Sequence, residues 1–401
     1  MALVLKICGS EWENASRDKR ELSVYREFGY DVAVLAKGMA VDKGRIEDVD
    51  GFKVYRYSTR PLGDRMPNLI NRIISLFSWA SFVRTIKPDV ISGHDLMPGL
   101  TIGWLATLFL TSKPKLIYDS HEFELGRNVK RSKMTIWFTK IWEKKMIKKC
   151  AFSIMVNDSI AEEVQKIHHL KEKPIVVRST PLYCDVDLSI CNHIRQKMID
   201  DFTQKGQLTR DNYNRAFLIM YHGALTSGRG IETLIKIVSI HQDLCGIILG
   251  NGTEKYKQSL KELIKTHDVS DRILLYNAVP ADILWQYVGA VDLSLMMIQK
   301  NAKSYYYALP NKFFESIQAL TPIIASNFPE MKRLIDQYGI GLACDPEDIN
   351  SIIDAIDVIR NDTYLYNTMK ENLYKAKAEL CWENERRVLS IAFDRFIFRN
   401  A

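Results

Sequence analysis

A lysine and a glutamate stand three positions apart in LPNKFFESIQALTPIIASNFPEM, residues 309–331. After the loop at Pro310, a short helix turns its phenylalanines toward a core and leaves Lys312 and Glu315 near its start. A buried strand follows, and ligands of open α/β sheets bind at the edge where such strands and helices meet. The stretch predicts a ligand site with one ammonium and one carboxylate. An ordinary helix–strand unit with two surface charges explains it about equally well.

The segment YHGALTSGRGIETLI, residues 221–235, has the pattern of a strand, a glycine-rich loop and a helix start. Glycines such as Gly223 let the backbone approach a phosphate, and the helix start adds free N–H groups and a positive dipole end. Arg229 adds a fixed cation with forked donors. Together they suit a diphosphate. The spacing matches neither GxGxxG nor a Walker loop, so a tight strand–helix turn stays equally open.

GNGTE is a second glycine turn at a strand end. Its Gly250 and Gly252 would leave room for a nucleoside beside the strand. Taken alone, a plain turn is favoured by about two to one.

In the first half of the chain, two apolar strands end in ISGHD and YDSHE. The carboxyl ends of strands in one parallel sheet lie on one edge, so His94, Asp95 and His121 are expected to face one cleft. An imidazole can donate to an oxyanion or orient a hydroxyl near neutral pH. A structural role is at least as common for a single histidine, but two at equivalent strand ends favour a site.

Metal chemistry is not indicated by the sequence. Two DxD tripeptides occur, at residues 48–50 and 185–187, but neither follows a clear core strand, and solvated loop charges explain them best. Zinc-ligand spacing, a nucleophile elbow and a Walker motif do not occur. We therefore expect neither a metal nor a cofactor.

Composition limits the class of protein. The 401 residues are 47% hydrophobic and 26% charged, which predicts two domains with substantial cores. The net charge of +7 suits an anionic small molecule or a membrane surface and is too dilute to indicate nucleic acid. The 7 cysteines lack CxxC spacing and indicate free thiols in a reducing compartment. No signal peptide is recognisable, so a cytoplasmic location is expected.

Two predicted helices bear on membrane contact. The apolar segment at residues 96–110 falls short of the roughly 20 residues that a spanning helix needs, and it is interpreted as a buried helix. The helix at residues 133–149 sets several lysines against Trp137, Phe138 and neighbouring apolar residues. A solvated face on a sheet-packed helix is favoured over docking on anionic lipid by about two to one. The two are compatible, so peripheral contact with the inner face of the cell membrane is a further expectation.

These motifs need a scaffold that brings strand ends together. Continuous apolar strands such as YDVAVLA, PDVISGH, FLIMYHG and GIILGNG alternate with helical patterns in both halves of the chain. Such alternation predicts doubly wound parallel sheets. We expect two similar α/β domains at residues 1–185 and 216–375, joined by a polar connection at 186–215. A C-terminal helix at 376–401 is expected to return to the first domain.

The combination resembles the retaining glycosyltransferases of family 4. These have the GT-B fold, in which two Rossmann-like, doubly wound parallel-sheet domains face each other across a cleft. PNKFFESIQALTPIIASNFPEM resembles the donor-site block of that family, YHGALTSGRGIETLI its phosphate loop and GNGTE its GxG turn. PDVISGHD and YDSHE resemble, more loosely, paired strand ends in the first domain. The resemblance covers nearly the whole chain.

The resemblance implies roles for individual residues. Glu315 would bind the nucleotide ribose, and Arg229 and Lys312 would lie at the diphosphate. His121 would face the transferred sugar or the acceptor, and the loop at Gly9 would approach the diphosphate and the acceptor. The implied catalytic residues are His121, Arg229 and Glu315, the acceptor-binding residues are His94, Asp95 and His121, and the donor-binding residues are Gly9, Gly223, Arg229, Gly250, Gly252, Asn311, Lys312 and Glu315.

Three positions depart from the family pattern. Tyr307 stands where a glutamate would contact the donor sugar, Ala224 where the phosphate loop commonly has an arginine, and Leu320 where a glycine is usual.

The resemblance implies metal-independent transfer of a hexose, with retention, from a nucleotide diphosphate sugar. The acceptor would be a hydroxyl of a glycan or lipid-linked molecule in surface polysaccharide synthesis. Two alternatives stay open: a nucleotide-sugar epimerase or hydrolase on the same fold, and a non-catalytic donor-binding partner of another transferase.

Overall fold

The computed structural model describes residues 1–13, 15–39, 42–63, 66–108, 110, 113–127, 131–206 and 209–399. The chain divides into two compact units, which are described separately. The N-terminal unit comprises residues 1–178 and 385–401, and the C-terminal unit comprises residues 179–384.

The N-terminal unit is a mostly parallel sheet with helices between its strands. Its strands are β1 (Leu3–Ile7), β2 (Asp31–Gly38), β3 (Lys43–Val49), β4 (Phe52–Ser58), β5 (Val90–His94), β6 (Lys115–Ser120), β7 (Phe152–Met155) and β8 (Ile175–Val176). Its helices are α1 (Ser16–Glu27), α2 (Asn68–Ile86), α3 (Thr101–Thr107), α4 (Lys133–Ile147) and α5 (Asp158–His168).

The strand order in this sheet is β3-β4-β2-β1-β5-β6-β7-β8. β3 runs antiparallel to β4, and the other pairs described are parallel. The order reverses at β1, whose neighbours are β2 and β5, and such a switch point is where open sheets bind ligands. In the register, Ile7 pairs with Gly93 and His94 pairs with Asp119. The ends of β1, β5 and β6 therefore lie level with one another.

The C-terminal unit is built on a parallel sheet in the order β11-β10-β9-β12-β13-β14, with a switch point at β9. Its strands are β9 (Phe217–His222), β10 (Leu244–Leu249), β11 (Ile273–Tyr276), β12 (Leu293–Met296), β13 (Ile323–Ser326) and β14 (Gly341–Cys344). Its helices are α6 (Leu188–Lys205), α7 (Arg210–Arg215), α8 (Ile231–Ile240), α9 (Glu254–Thr266), α10 (Leu284–Val288), α11 (Lys303–Tyr306), α12 (Asn311–Gln318), α13 (Pro329–Tyr338), α14 (Ile349–Asn361) and α15 (Thr363–Glu379). The last helix, α16 (Trp382–Phe393), begins in this unit and ends in the N-terminal unit.

The predicted polar connection at residues 186–215 is wrong. This segment forms α6 and α7, and both pack on the sheet of the C-terminal unit. Met198, Phe202 and Tyr213 are fully buried in its core. Asp187, which looked like a loop charge, caps the start of α6 by accepting a hydrogen bond from the Ser189 backbone N–H at 2.8 Å. Few apolar residues of α6 recur at helical spacing, so its polar composition did not indicate a helix packed on the sheet.

The end of the chain, residues 385–401, belongs to the N-terminal unit. There, Phe393 of α16 stacks on Tyr25 of α1 with ring centroids 4.6 Å apart. Glu385 is buried and accepts a hydrogen bond from the Arg178 guanidinium at 3.0 Å. Stacked aromatic rings and a charge-assisted hydrogen bond thus fix the final segment to this unit.

The apolar segment predicted as one helix at residues 96–110 begins with an irregular turn at Asp95–Leu100 and continues as α3. Leu96, Leu100 and Ile102 are buried, as expected for a helix packed on a sheet. Phe109 lies outside the described residues. Among the helices that the structure describes, none combines the length and the apolar character needed to cross a membrane.

Candidate functional site

In the C-terminal unit, the glycine-rich loop connects β9 to α8 at the sheet's switch point. Gly230 caps α8 with φ of +88°, and a Cβ at this position would lie 2.7 Å from the backbone oxygen of Met297. Only glycine fits both the conformation and this close approach. The loop is therefore held against the chain that leaves β12, and the free N–H groups of the first turn of α8 lie at the sheet's edge.

The second glycine turn packs directly against this loop. A Cβ on Gly250 would lie 1.8 Å from the carbonyl oxygen of Gly223, and one on Gly252 would lie 2.5 Å from that of Leu225. Both glycines are therefore required for packing. Their predicted contact with a donor stays a prediction.

Helix α12 carries the lysine and glutamate that the sequence singled out. Phe313, Phe314 and Ile317 are fully buried in the core, as predicted. Ser316 Oγ donates to Ser294 Oγ of β12 at 2.8 Å. The helix is thus fixed to the sheet, and its first residue, Asn311, is exposed at the edge.

Lys312 is buried beneath this edge, with only 6% of its surface exposed. Its Nζ lies 4.0 Å from the centre of the Tyr221 ring and has no hydrogen-bond acceptor among the described residues. Burial and the nearby charge of Arg229 lower the pKa of Lys312 to about 7, against the opposing effect of Glu315. A buried ammonium that lacks an acceptor is suited to an anionic ligand.

Glu315 lies three residues after Lys312 on α12, and its carboxylate approaches a histidine. Its Oε2 lies 3.2 Å from Nε2 of His222, the last residue of β9. His222 was not singled out from the sequence. The signal was present, because a histidine ends a buried strand immediately before Gly223.

Arg229 is half-buried and lies over the ring of Tyr305, with its guanidinium carbon 5.0 Å from the ring centre. Nearby, Lys303 Nζ lies 5.6 Å from the centre of the Tyr307 ring. The wall formed by α11 and the residue after it therefore presents tyrosines and cations at the position where a second glutamate was expected.

In the N-terminal unit, a buried ionic cluster lies beneath the ends of β1 and β6. The Nζ of Lys6, which is fully buried, lies 2.5 Å from Asp119, 2.8 Å from Asp18 and 3.0 Å from Glu21. Arg17 also contacts Asp119, at 3.0 Å. Although burial opposes ionisation, the neighbouring cations hold the pKa of Asp119 well below its usual range.

The two predicted histidines lie on this cluster. His94 Nδ1 is 3.0 Å from Asp18, His121 Nε2 is 2.9 Å from Asp119, and the two rings lie 3.8 Å apart at a tilt of 34°. Burial lowers the pKa of His94, but hydrogen bonds to Asp18 and Cys8 outweigh it and raise this pKa to about 11. At neutral pH, His94 is therefore a cationic donor rather than a general base.

Asp95 and Gly9 complete this edge. Asp95 has a φ of +58° and accepts hydrogen bonds from the His121 backbone N–H at 2.9 Å and from Arg127 at 2.5 Å. It therefore braces the turn that carries His121. Gly9 packs against Pro98, where a Cβ would lie 2.3 Å from the proline Cδ.

Asp18 and Lys6 were missed because a charged residue within a helix or strand looks exposed until its partners are known. One hint was present: Lys6 interrupts the otherwise apolar strand LVLKI. Asp18, Asp119 and His121 also have the spacing of metal ligands. Both carboxylates already contact the ammonium of Lys6, so a cation there would have to displace it.

The DxD tripeptides have structural roles in the described residues. Asp48 accepts from the Gly51 backbone N–H at 3.0 Å, and Asp50 pairs with Lys19 at 2.7 Å. Asp187 caps α6, and Asp185 is exposed in the segment before it.

Two family models match the chain. "Glycosyltransferase Family 4" matches residues 23–183, and "Glycosyl transferases group 1" matches residues 208–376. An uncharacterised glycosyltransferase of Haemophilus influenzae is 26% identical over 160 residues, which are 38% of this chain and 42% of that protein. The match therefore spans less than half of the relative's length.

Solved structures show the same fold over the whole chain. Sucrose-phosphate synthase from Thermosynechococcus elongatus matches with a TM-score of 0.75 at 15% identity, covering 100% of both chains. The Anabaena protein HepE, solved in complex with UDP, matches with a TM-score of 0.74 at 14% identity, covering 98% of this chain and 100% of that one. HepE has also been solved with UDP-glucose.

Proposed function

Because the chain belongs to glycosyltransferase family 4 and has the GT-B fold, we propose that it transfers a sugar from a nucleotide diphosphate sugar to a hydroxyl group, with retention of anomeric configuration. The observation that carries the proposal is the buried Nζ of Lys312, which lacks an acceptor among the described residues and lies within the field of Arg229. Two such cations beside the first turn of α8 are suited to bind a diphosphate.

The reaction would develop negative charge on the departing diphosphate. The acceptor oxygen forms a bond to the anomeric carbon on the face from which the phosphate oxygen leaves. The hydroxyl proton passes to that phosphate oxygen, and the nucleoside diphosphate departs. Arg229, Lys312 and the N–H groups of α8 stabilise the charge without a metal ion. Glu315 accepts hydrogen bonds from the ribose.

The acceptor would bind at the edge of the N-terminal unit, where His94 and His121 are partly exposed and Asp95 braces the turn between them. A cationic His94 can donate to an acceptor oxygen. We propose a glycan or lipid-linked acceptor in surface polysaccharide synthesis, in the cytoplasm, where the free cysteines would remain reduced. The UDP and UDP-glucose complexes of HepE make uridine diphosphate hexoses the first donors to test.

The test combines UDP binding with turnover of a nucleotide-sugar panel, with and without acceptors. Arg229→Ala should lower turnover about 10²–10³-fold, as loss of one charge-stabilising donor does. Lys236→Ala on the exposed side of α8 is the matched control and should retain turnover. Near wild-type turnover in Arg229→Ala would refute the charge-stabilising role.

The same panel separates the alternatives. Free sugar or an epimer formed without acceptor would favour a hydrolase or epimerase. UDP binding with no turnover of any donor would favour a non-catalytic donor-binding partner.

A further inference from the structure

The helices α2, α3 and α4 cover one face of the sheet in the N-terminal unit. Each connects parallel strands that progress in the same direction along the sheet, and right-handed crossovers place such helices on one face. α3 packs against α2, and Trp104 of α3 meets Trp142 of α4 edge-on with ring centroids 5.1 Å apart. The three helices therefore form one continuous layer.

The first half of α4 exposes an apolar stripe on the outside of this layer. The stripe follows the i, i+3, i+4, i+7 spacing of one helical face and comprises Met134, Trp137, Phe138 and Ile141, which are 67%, 56%, 57% and 45% exposed. The second half of the helix is anchored instead, because Met146 and Ile147 are buried. Large apolar side chains in such a stripe indicate a surface that contacts a membrane or a protein partner.

Helix α2 exposes a second stripe on the same layer. Leu69, Ile73 and Phe77 recur at i, i+4 and i+8 and are 69%, 47% and 54% exposed. Both helices follow parallel strands, so their first halves begin at the carboxyl edge of the sheet, where His94 and His121 lie.

Along α2 and α4, the exposed charged residues that the structure describes have one sign. Residues 66–88 contain Arg72, Arg84 and Lys87 and no carboxylate. Residues 131–157 contain one carboxylate, Glu143, and it is buried.

The carboxylate of Glu143 is already satisfied within the unit. It accepts hydrogen bonds from the Tyr118 hydroxyl at 2.9 Å and pairs with His168 at 3.0 Å. The charges that α4 presents to solvent are therefore those of its lysines, among them Lys133, Lys140 and Lys145.

We propose that this layer, with the two stripes inserted, docks on the surface of an anionic lipid bilayer. Apolar and aromatic side chains next to lysines match the acyl boundary and headgroups of such a surface. A second copy of the chain would bring lysines against lysines, which disfavours self-association through this face. The proposal does not depend on the chemistry of the site, and binding is measured without substrate.

The test is co-sedimentation of the full chain with vesicles of phosphatidylcholine alone or mixed with phosphatidylglycerol. Binding should require the anionic lipid and weaken as salt increases. The double variant Lys133→Glu, Lys140→Glu should bind at least 25-fold more weakly, at about fivefold for each lysine removed. The matched control Lys255→Glu, Lys261→Glu changes two exposed lysines on α9 and should bind like the wild type.

Insertion is tested with vesicles of brominated lipid, which quench tryptophan fluorescence on contact. Trp137→Phe keeps the apolar surface, so it should still sediment with anionic vesicles but lose much of the quenching. Trp137→Ser combined with Phe138→Ser should lose binding without unfolding, because both side chains are exposed.

Equal binding to neutral vesicles, unchanged binding in the α4 lysine variant, or an equal loss in the α9 control would each overturn the proposal. So would quenching that persists in Trp137→Phe. A change of oligomeric state in the Trp137→Ser, Phe138→Ser variant, with vesicle binding intact, would assign the face to a protein partner instead.

Discussion

Nε2 of His222 lies 3.2 Å from a carboxylate oxygen of Glu315, where β9 ends beside α12. The histidine side chain is 1% exposed and that of the glutamate 31%, so a buried group lies beside a carboxylate that reaches solvent. The two residues belong to different elements, β9 and α12, which meet at the same edge of the sheet. This arrangement brings the carboxylate of Glu315 close to the imidazole before any ligand arrives.

Glu315→Gln should weaken UDP binding about 10–100-fold, because a hydrogen bond to a charged acceptor contributes about 1.5–3 kcal/mol. Calorimetry with UDP and 2′-deoxy-UDP checks the cause. If Glu315 accepts from the ribose hydroxyls, the preference for UDP over the deoxy nucleotide should largely disappear in the variant. An equal loss for both nucleotides would contradict ribose recognition.

His222→Phe should weaken UDP binding less than Glu315→Gln does, about 3–10-fold, because the carboxylate remains but loses the imidazole beside it. Combining the two changes should cost less than their sum, since both act through one interaction. Strict additivity in this double-mutant cycle would show that His222 acts independently of Glu315.

Lys312 should take up a proton when UDP binds. Its pKa is lowered to about 7 by burial and by Arg229, and a bound diphosphate favours the charged form. At pH 8.5, calorimetry in buffers of different ionisation enthalpy should detect uptake of nearly one proton. UDP affinity should fall up to about tenfold per pH unit above 7. Lys312→Met is the control and should show little uptake, while unchanged uptake would place the titrating group elsewhere.

Lys312→Met should also stabilise the ligand-free protein. The folded-state pKa of Lys312 lies below its unfolded value of 10.5, so the unfolded chain binds more protons between about pH 7 and 10.5. Wild-type stability therefore rises with pH across that window. The variant should gain roughly 2–4 kcal/mol near pH 6, and the gain should shrink toward pH 10. Denaturant unfolding at several pH values measures it, and a gain independent of pH would reject the titration of Lys312 as its cause.

Asp119→Asn should destabilise the N-terminal unit by about 3–5 kcal/mol, because it leaves Lys6 and Arg17 short of one buried counter-charge. The folded pKa of Asp119 is lowered, so its contribution is present above the unfolded pKa and is lost as pH falls. The difference from wild type should be constant from about pH 5 to 8 and shrink below about pH 4.

The exposed pair of Lys332 and Asp336, 2.7 Å apart, supplies the control for the buried cluster. Lys332→Met should change the free energy of unfolding by less than about 1 kcal/mol. Comparable effects of Asp119→Asn and Lys332→Met would mean that the cluster near Lys6 is not electrostatically isolated from solvent.

Periodicity and strand composition predicted the two doubly wound sheets, because a strand buried on both faces must be apolar throughout. The same logic predicted the position of α12, whose phenylalanines are buried in the core. It failed at residues 186–215, where α6 and α7 bury few side chains and otherwise resemble a linker.

The candidate site was predicted where residue type and local turn coincide, as for Lys312, Glu315 and Arg229. It was incomplete where the environment of a side chain depends on a partner distant in sequence. His222 meets Glu315 across 93 positions, and Asp119 meets Lys6 across 113. A single sequence does not show which distant residues pair, since each residue alone is compatible with a solvent-exposed role.

Four successive positions of α12 point in three directions: Lys312 beneath the edge, Phe313 and Phe314 into the core, and Glu315 toward His222. An α-helix turns about 100° per residue, so removing or adding one residue inside α12 would exchange these positions. The segment of α11 and the loop after it, by contrast, can gain or lose residues without rotating the side chains of α12. Among related sequences, insertions and deletions should therefore occur before Pro310. A change in the sugar that is accepted would then leave the register of α12 intact.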